Sequence, residues 1–133
     1  MKNLLRSEEL AQFLLCLVAL IVMDVPWWVY PILVLGPDIG MLGYLVNTHV
    51  GAIAYNVLHH KGIAILMGGI GVVLGLMSVH GPEFRSVDTL MYLAAIILYG
   101  HACMDRIFGY GLKFGDNFHH THLGWIGSIK EQG

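Results

Sequence analysis

The sequence predicts an all-α fold, a polytopic membrane helix bundle. It is expected to hold about four transmembrane helices, with short interfacial or re-entrant helices between the second and the third. Three observations carry this. Only 12% of the 133 residues are Asp, Glu, Lys or Arg, about half the ~25% of an ordinary soluble domain. Hydrophobic residues make up 56% of the chain, and its mean hydropathy is +0.68. The few charges stand between long apolar runs, not within them. So small a charged fraction leaves a globule of this size uncovered in water, because small domains have a high surface-to-volume ratio. The apolar content excludes disorder, and the lack of a glycine period excludes collagen. A net charge of −2 provides no basic footprint for nucleic acid. Residues 1–133 are read as a single integral-membrane domain.

The first helix is placed at about 8–24. Lys2 and Arg6 precede its apolar run as in a signal peptide. Glu8 and Glu9 interrupt that basic region, however, and no small-x-small cleavage site precedes Asp24, so the segment is expected to be retained. The second helix is placed at 26–36, opened by Trp27 and Trp28 and closed by Gly36 and Pro37, with Pro31 inside it. Residues 38–60, rich in Gly, Asn, Thr and His, are assigned to the interfacial or re-entrant pair. The third helix, 62–79, carries no charge, and the fourth runs over 86–108 with Ser86 as its N-cap and Gly109 at its end. A rival map with one long helix over 51–79 would bury Lys61 near mid-membrane, at about 2.5–3.5 kcal/mol. The first map is preferred.

On this map Lys2, Arg6, Lys61, Arg106, Lys113 and Lys130 share one side, and Arg85 alone takes the other. That bias places both termini in the cytoplasm. Ala64, Gly68, Gly71 and Gly75 recur at helical spacing and invite a close neighbour. The neighbour is another helix of the bundle, a second copy in a homodimer, or a larger membrane complex. Trp27, Trp28, Tyr30 and Trp125 read as headgroup-level anchors in the lipid bilayer. Cys16 and Cys103 lack the spacing of a metal knuckle or a redox motif and read as small buried side chains.

The map also gathers the polar residues. Asp38 follows the second helix, and Tyr55, Asn56, His59 and His60 precede the third on the same side. His101 and Asp105, four apart, share a face of the last helix towards its cytoplasmic end. His119, His120 and His122 follow in the tail. Imidazoles and carboxylates are the donors that Zn²⁺ and related divalent ions use, and a carboxylate inside a bundle needs a partner. The expected metal ligands are therefore His59, His101, Asp105 and His122. Asp38 is expected as a further ligand or as the catalytic general base on water. The bland alternative is an intrahelical His101–Asp105 hydrogen bond, with Asp105 paired to Arg106 or Lys113. Those two cations otherwise flank the membrane or receive an anionic headgroup. His49 and His80 read as interfacial or exposed, and His119 and His120 as part of a solvated tail. No nucleophile frame surrounds Ser7, Ser78, Ser86 or Ser128, and there is no Walker A loop or dinucleotide fingerprint.

Four motifs occur together. They are Pro37-Asp38-Ile39-Gly40-Met41-Leu42-Gly43-Tyr44-Leu45; Tyr55-Asn56-x-x-His59; His101-x-x-x-Asp105-Arg106-x-x-Gly109-Tyr110-Gly111-Leu112-Lys113; and Thr121-His122-Leu123-Gly124. In these, over nearly the whole chain, the sequence resembles a family of small bacterial integral-membrane proteins catalogued as a domain of unknown function. The resemblance implies that Asp38, Asn56, His59, His101, Asp105, Arg106 and His122 are the motif residues, with Asn56 and Arg106 in supporting roles. It implies a bacterial inner-membrane location and carries no activity with it. At the level of residue type alone, the sequence is similar to membrane-embedded metal-dependent hydrolases with His and Asp at helix ends.

The leading expectation is a metal-dependent membrane hydrolase acting on an amphiphilic substrate, with Zn²⁺ the favoured ion. The alternative is an accessory or structural subunit in which the His/Asp cluster is a hydrogen-bond network. A third reading is haem held between His59 and His101.

Overall fold

The computed structural model of the chain describes residues 1–77 and 85–127. The expectations at Ser78, His80, Ser128 and Lys130, and those resting on the side chains of Arg85 and Ser86, lie outside the described residues. Within them the fold is all-α, apart from a small hairpin in the tail.

An unbroken apolar run gives α1, Lys2–Val22. Asp24 then turns the chain with φ at 51°, a left-handed conformation that Asp tolerates better than most residues. Helix α2 covers only Val29–Leu35, 7 residues. Pro31 is accommodated in its first turn, where no intrahelical N–H bond is lost. Pro37 has no N–H to continue the ladder, and the chain tightens into a 3-10 segment over Pro37–Leu45. At about 10 Å long, α2 falls well short of the ~30 Å hydrocarbon core. The expected second transmembrane helix is therefore corrected: α2 by itself does not span, because it begins only at Val29 and, as the sequence predicts, stops before Gly36 and Pro37.

Asn47 caps α3, Thr48–His59, its Oδ1 accepting from the Val50 N–H at 2.8 Å. His60 is extended, and α4, Lys61–Met77, departs at 47° to α3. The break brings Lys61 within reach of α1, where it pairs with Glu9, donates to Gln12 at 2.7 Å and lies over the Tyr99 ring. Helix α5 covers Arg85–Phe108. Gly109, at φ 92°, takes the left-handed position after its last turn. The N–H groups of Gly109 and Tyr110 return to the carbonyls of Arg106 and Asp105, which closes the helix end.

Helix α5 is the hub. It runs antiparallel to α1, with Cys16 against Gly100 and Arg6 beside Gly109. It also runs antiparallel to α4, where Gly68 faces Ala95 and Gly71 faces Met91 and Tyr92. The small-residue face of α4 is thus taken up by α5 of the same chain. Leu20, Val29 and Leu33 form the buried core between α1, α2 and α5. The 3-10 segment lies so close on α3 that a Cβ on Gly40 would stand 2.8 Å from the Ala54 carbonyl oxygen. Among the described residues one helix is long and apolar enough to cross a membrane alone, Val87–Phe108, and α3 with α4 forms a second, bent candidate. Helix α1 has the length but carries Arg6, Glu8 and Glu9 in its first half.

After α5 the tail folds back across the end of the bundle. Strands β1, His120–Thr121, and β2, Gly124–Trp125, form an antiparallel hairpin, and Thr121 also bridges Lys113. Asn56 fastens this tail to α3: it accepts from the Lys113 N–H at 2.7 Å and donates to the Lys113 carbonyl at 2.8 Å.

Candidate metal centre

Three elements deliver four ligand-capable side chains to one point. The 3-10 segment brings Asp38, the last turn of α3 brings His59, and α5 brings His101 and Asp105 from one face. One ligand atom from each lies within 4.8 Å of the other three. The two imidazole Nε2 atoms are 3.1 Å apart. Asp38 Oδ1 stands 3.4 Å from each of them. Asp105 approaches His59 at 3.4 Å and His101 at 3.7 Å. Two donors, each about 2.0–2.1 Å from a tetrahedral ion, lie roughly 3.3 Å from one another, so these spacings suit a metal shell.

The hydrogen bonds behind the rings fix their chemistry. His59 Nδ1 faces the Tyr55 carbonyl at 2.8 Å, and His101 Nδ1 faces the Leu33 carbonyl at 2.9 Å. A carbonyl only accepts, so each Nδ1 must carry the ring proton. In the neutral imidazoles both Nε2 lone pairs then converge with nothing to donate between them. Only a proton or a metal ion relieves that arrangement, and an outer hydrogen bond from Nδ1–H to a carbonyl is usual for a metal-bound His. Burial sharpens the point, since His101 is 0% and His59 3% exposed.

The carboxylates lack cationic partners among the described residues: neither Asp38 nor Asp105 pairs with Lys or Arg. Asp105 instead accepts from the Tyr55 hydroxyl at 2.6 Å, while the Tyr55 ring stacks on His59 at 3.7 Å. Two carboxylates and two neutral imidazoles carry a charge of about −2, the complement of a divalent cation. Asp38 is the most open of the set, with 35% of its side chain exposed against 15% for Asp105. The crevice beside the cluster, between Tyr55, Asp105, Arg106 and Tyr110, has no room for a water molecule.

The remaining predicted residues lie elsewhere. His122, expected as a ligand, is outside the four-residue group; its Nδ1 accepts from the Leu112 N–H at 2.8 Å and holds the hairpin in place. Asn56 supports the site through the tail, as described above. Arg106 does not reach Asp105, and its buried Nη1 has no hydrogen-bond partner among the described residues. Lys113 is 4% exposed, donates to the Phe118 carbonyl and packs over the Phe118 ring. Burial holds its ammonium below the ordinary lysine value. In the tail, His120 pairs with Asp116 and holds that carboxyl below the usual range. A haem between His59 and His101 does not fit, because axial nitrogens in line across an iron stand about 4 Å apart with the macrocycle between them, against 3.1 Å here. The sequence groups Tyr55 with the converging polar residues but points to no role for it in the site. The four-residue step to His59, which puts the two on one helix face, was the signal for it.

Fold and site together define a helical protein whose bundle end gathers a His₂Asp₂ cluster able to hold a metal ion. The chain belongs to the family described as Domain of unknown function (DUF4260), which matches residues 2–126. No curated protein and no solved structure matches it.

Proposed function

We propose that this chain is a metal-dependent integral membrane hydrolase, holding one divalent ion, Zn²⁺ by preference, on Asp38, His59, His101 and Asp105. The observation that carries the reading is the pair of Nε2 lone pairs 3.1 Å apart, each fixed by a carbonyl behind it. A bound Zn²⁺ would supply Lewis-acid chemistry there. Asp38, the ligand most open to solvent, is where water and substrate enter, and it serves as ligand or general base.

Membrane insertion is supported by what the helices leave uncovered. Leu15, Val22, Ile65, Leu66 and Leu76 are exposed, and only 33% of the apolar stretch of α5 is buried within the bundle. A soluble protein covers such helices with its own core; here lipid covers them, and α1, α4 and α5 are the spans. The antiparallel packing sets Lys2, Arg6, Lys61 and Arg106 at the same end as the cluster, which becomes the cytoplasmic end. A substrate reaching this level from the bilayer is an amphiphile.

Purified protein in detergent is expected to hydrolyse an amphiphilic ester or phosphodiester, to stop on chelation and to recover with Zn²⁺. One observation favours a second reading, a structural metal in an accessory subunit: four protein donors close the shell, and the crevice on its Tyr55–Asp105–Arg106 side admits no water. Metal-loaded protein that turns over no such substrate but co-purifies with a partner would select that reading.

A further inference from the structure

A large cavity opens beside the cluster, and its lining is two-sided. Lys2 and Arg6 at the start of α1 and Arg106 near the end of α5 all face it, within a volume of about 690 Å³. Glu9 also lines it, but its charge is answered by Lys61. The rest of the wall is apolar, with Leu5, Phe108 and Trp125 prominent. Among the described residues none of the three cations forms an ion pair, and the buried Arg106 Nη1 has no hydrogen-bond partner at all. A guanidinium N–H left unanswered in a buried place costs about 1–3 kcal/mol, or more for a charged group. Three cations lining one cavity, set against an apolar wall, form a receptor for an oxyanion that carries a hydrophobic group. Arg106 and Tyr110 also line the crevice beside His59 and Asp105, so the cavity and the cluster share a wall.

We infer that this cavity binds a phosphate group borne on an amphiphile, with Lys2, Arg6 and Arg106 holding the phosphate and the Leu5–Phe108–Trp125 wall holding the apolar part. It deepens the hydrolase reading by naming the substrate class, and as a substrate site it rests on that reading. The binding itself does not need the metal. Arg106, next to Asp105 in sequence, would set the phosphate beside the ligand cluster.

The test is equilibrium binding of dioctanoyl phosphatidic acid, uncharged dioctanoylglycerol and inorganic phosphate to the full chain in a zwitterionic detergent. Zinc content is measured in the same samples. Phosphatidic acid is expected to bind, and the Arg6→Gln/Arg106→Gln protein to bind it at least about tenfold more weakly with its zinc unchanged. Tighter binding of phosphatidic acid than of inorganic phosphate assigns the site to a lipid headgroup. Equal binding of the two would overturn the role of the apolar wall and leave the site to a free phosphate compound. Dioctanoylglycerol binding as tightly as phosphatidic acid would overturn the proposal, as would unchanged affinity in the double variant. His101→Ala separates the two ideas, because metal-free protein is expected to keep its phosphatidic acid affinity. Zinc without lipid binding removes this proposal alone, and lipid binding without zinc removes the hydrolase reading alone.

Discussion

His59 and His101 each give one ring nitrogen to a backbone carbonyl, and that commitment aims the other at a cation. Tyr55 performs two tasks at once, stacking on His59 and donating to Asp105. Replacing Tyr55 by Phe keeps the stack and removes only the hydroxyl. Zinc affinity measured by chelator competition is then expected to fall about 10- to 100-fold, the usual range for a lost outer partner, with the helical circular dichroism unchanged. His122→Ala is expected to retain the metal, since its ring nitrogen serves the Leu112 N–H. Loss of zinc in that variant would return His122 to the ligand set. Lys113 gives a pH dependence. Its folded value lies below the ordinary 10.5 because burial disfavours the charged form. The unfolded chain therefore binds the proton more tightly, and stability rises with pH between the lowered value and 10.5. The penalty is complete below that window and gone above it. Denaturation of Lys113→Met across the same alkaline range should lose this slope.

At the scale of elements, the site depends on how closely the 3-10 segment lies on α3, because that contact carries Asp38 to His59. A Cβ on Gly51 would stand 2.3 Å from the Tyr44 ring. Gly51→Ala is thus expected to destabilise the protein by about 1–3 kcal/mol, as overpacking does, and to weaken zinc binding as Asp38 is displaced. Thermal unfolding with and without zinc measures both. Much of this arrangement was legible in the sequence. Asp24 marked the end of α1, Lys61 marked the break between α3 and α4, and the four-residue step from His101 to Asp105 fixed a shared face. The start of α1 lies before Glu8 and Glu9, the acidic pair that bounds its apolar run. Two features were not legible. The short length of α2 depends on its late start at Val29, because the residues just before it, Pro26 to Trp28, are apolar enough for a hydropathy pattern to read them as helix. The place of His122 depends on a tail hairpin of two-residue strands, which leaves no periodic signal. Residue type and motif membership therefore point to a ligand at His122, where the fold uses a hydrogen-bond acceptor.

At the scale of the molecule, the proposed membrane metal protein accounts for both the scarcity of charge and the arrangement of the helices. On the proposed reading lipid covers the exposed Leu15, Ile65 and Leu76, and a divalent cation answers the paired carboxylates of Asp38 and Asp105. The membrane half predicts that the protein stays in the membrane fraction through an alkaline carbonate wash and leaves it only with detergent. Recovery in the wash would contradict insertion. The metal half is tested most directly by elemental analysis of the detergent-purified protein alongside His101→Ala. About one zinc or similar divalent ion per chain is expected in the parent protein, with less than a tenth of that in the variant. A natively folded parent protein free of metal, and unable to take up zinc at neutral pH, would contradict the account.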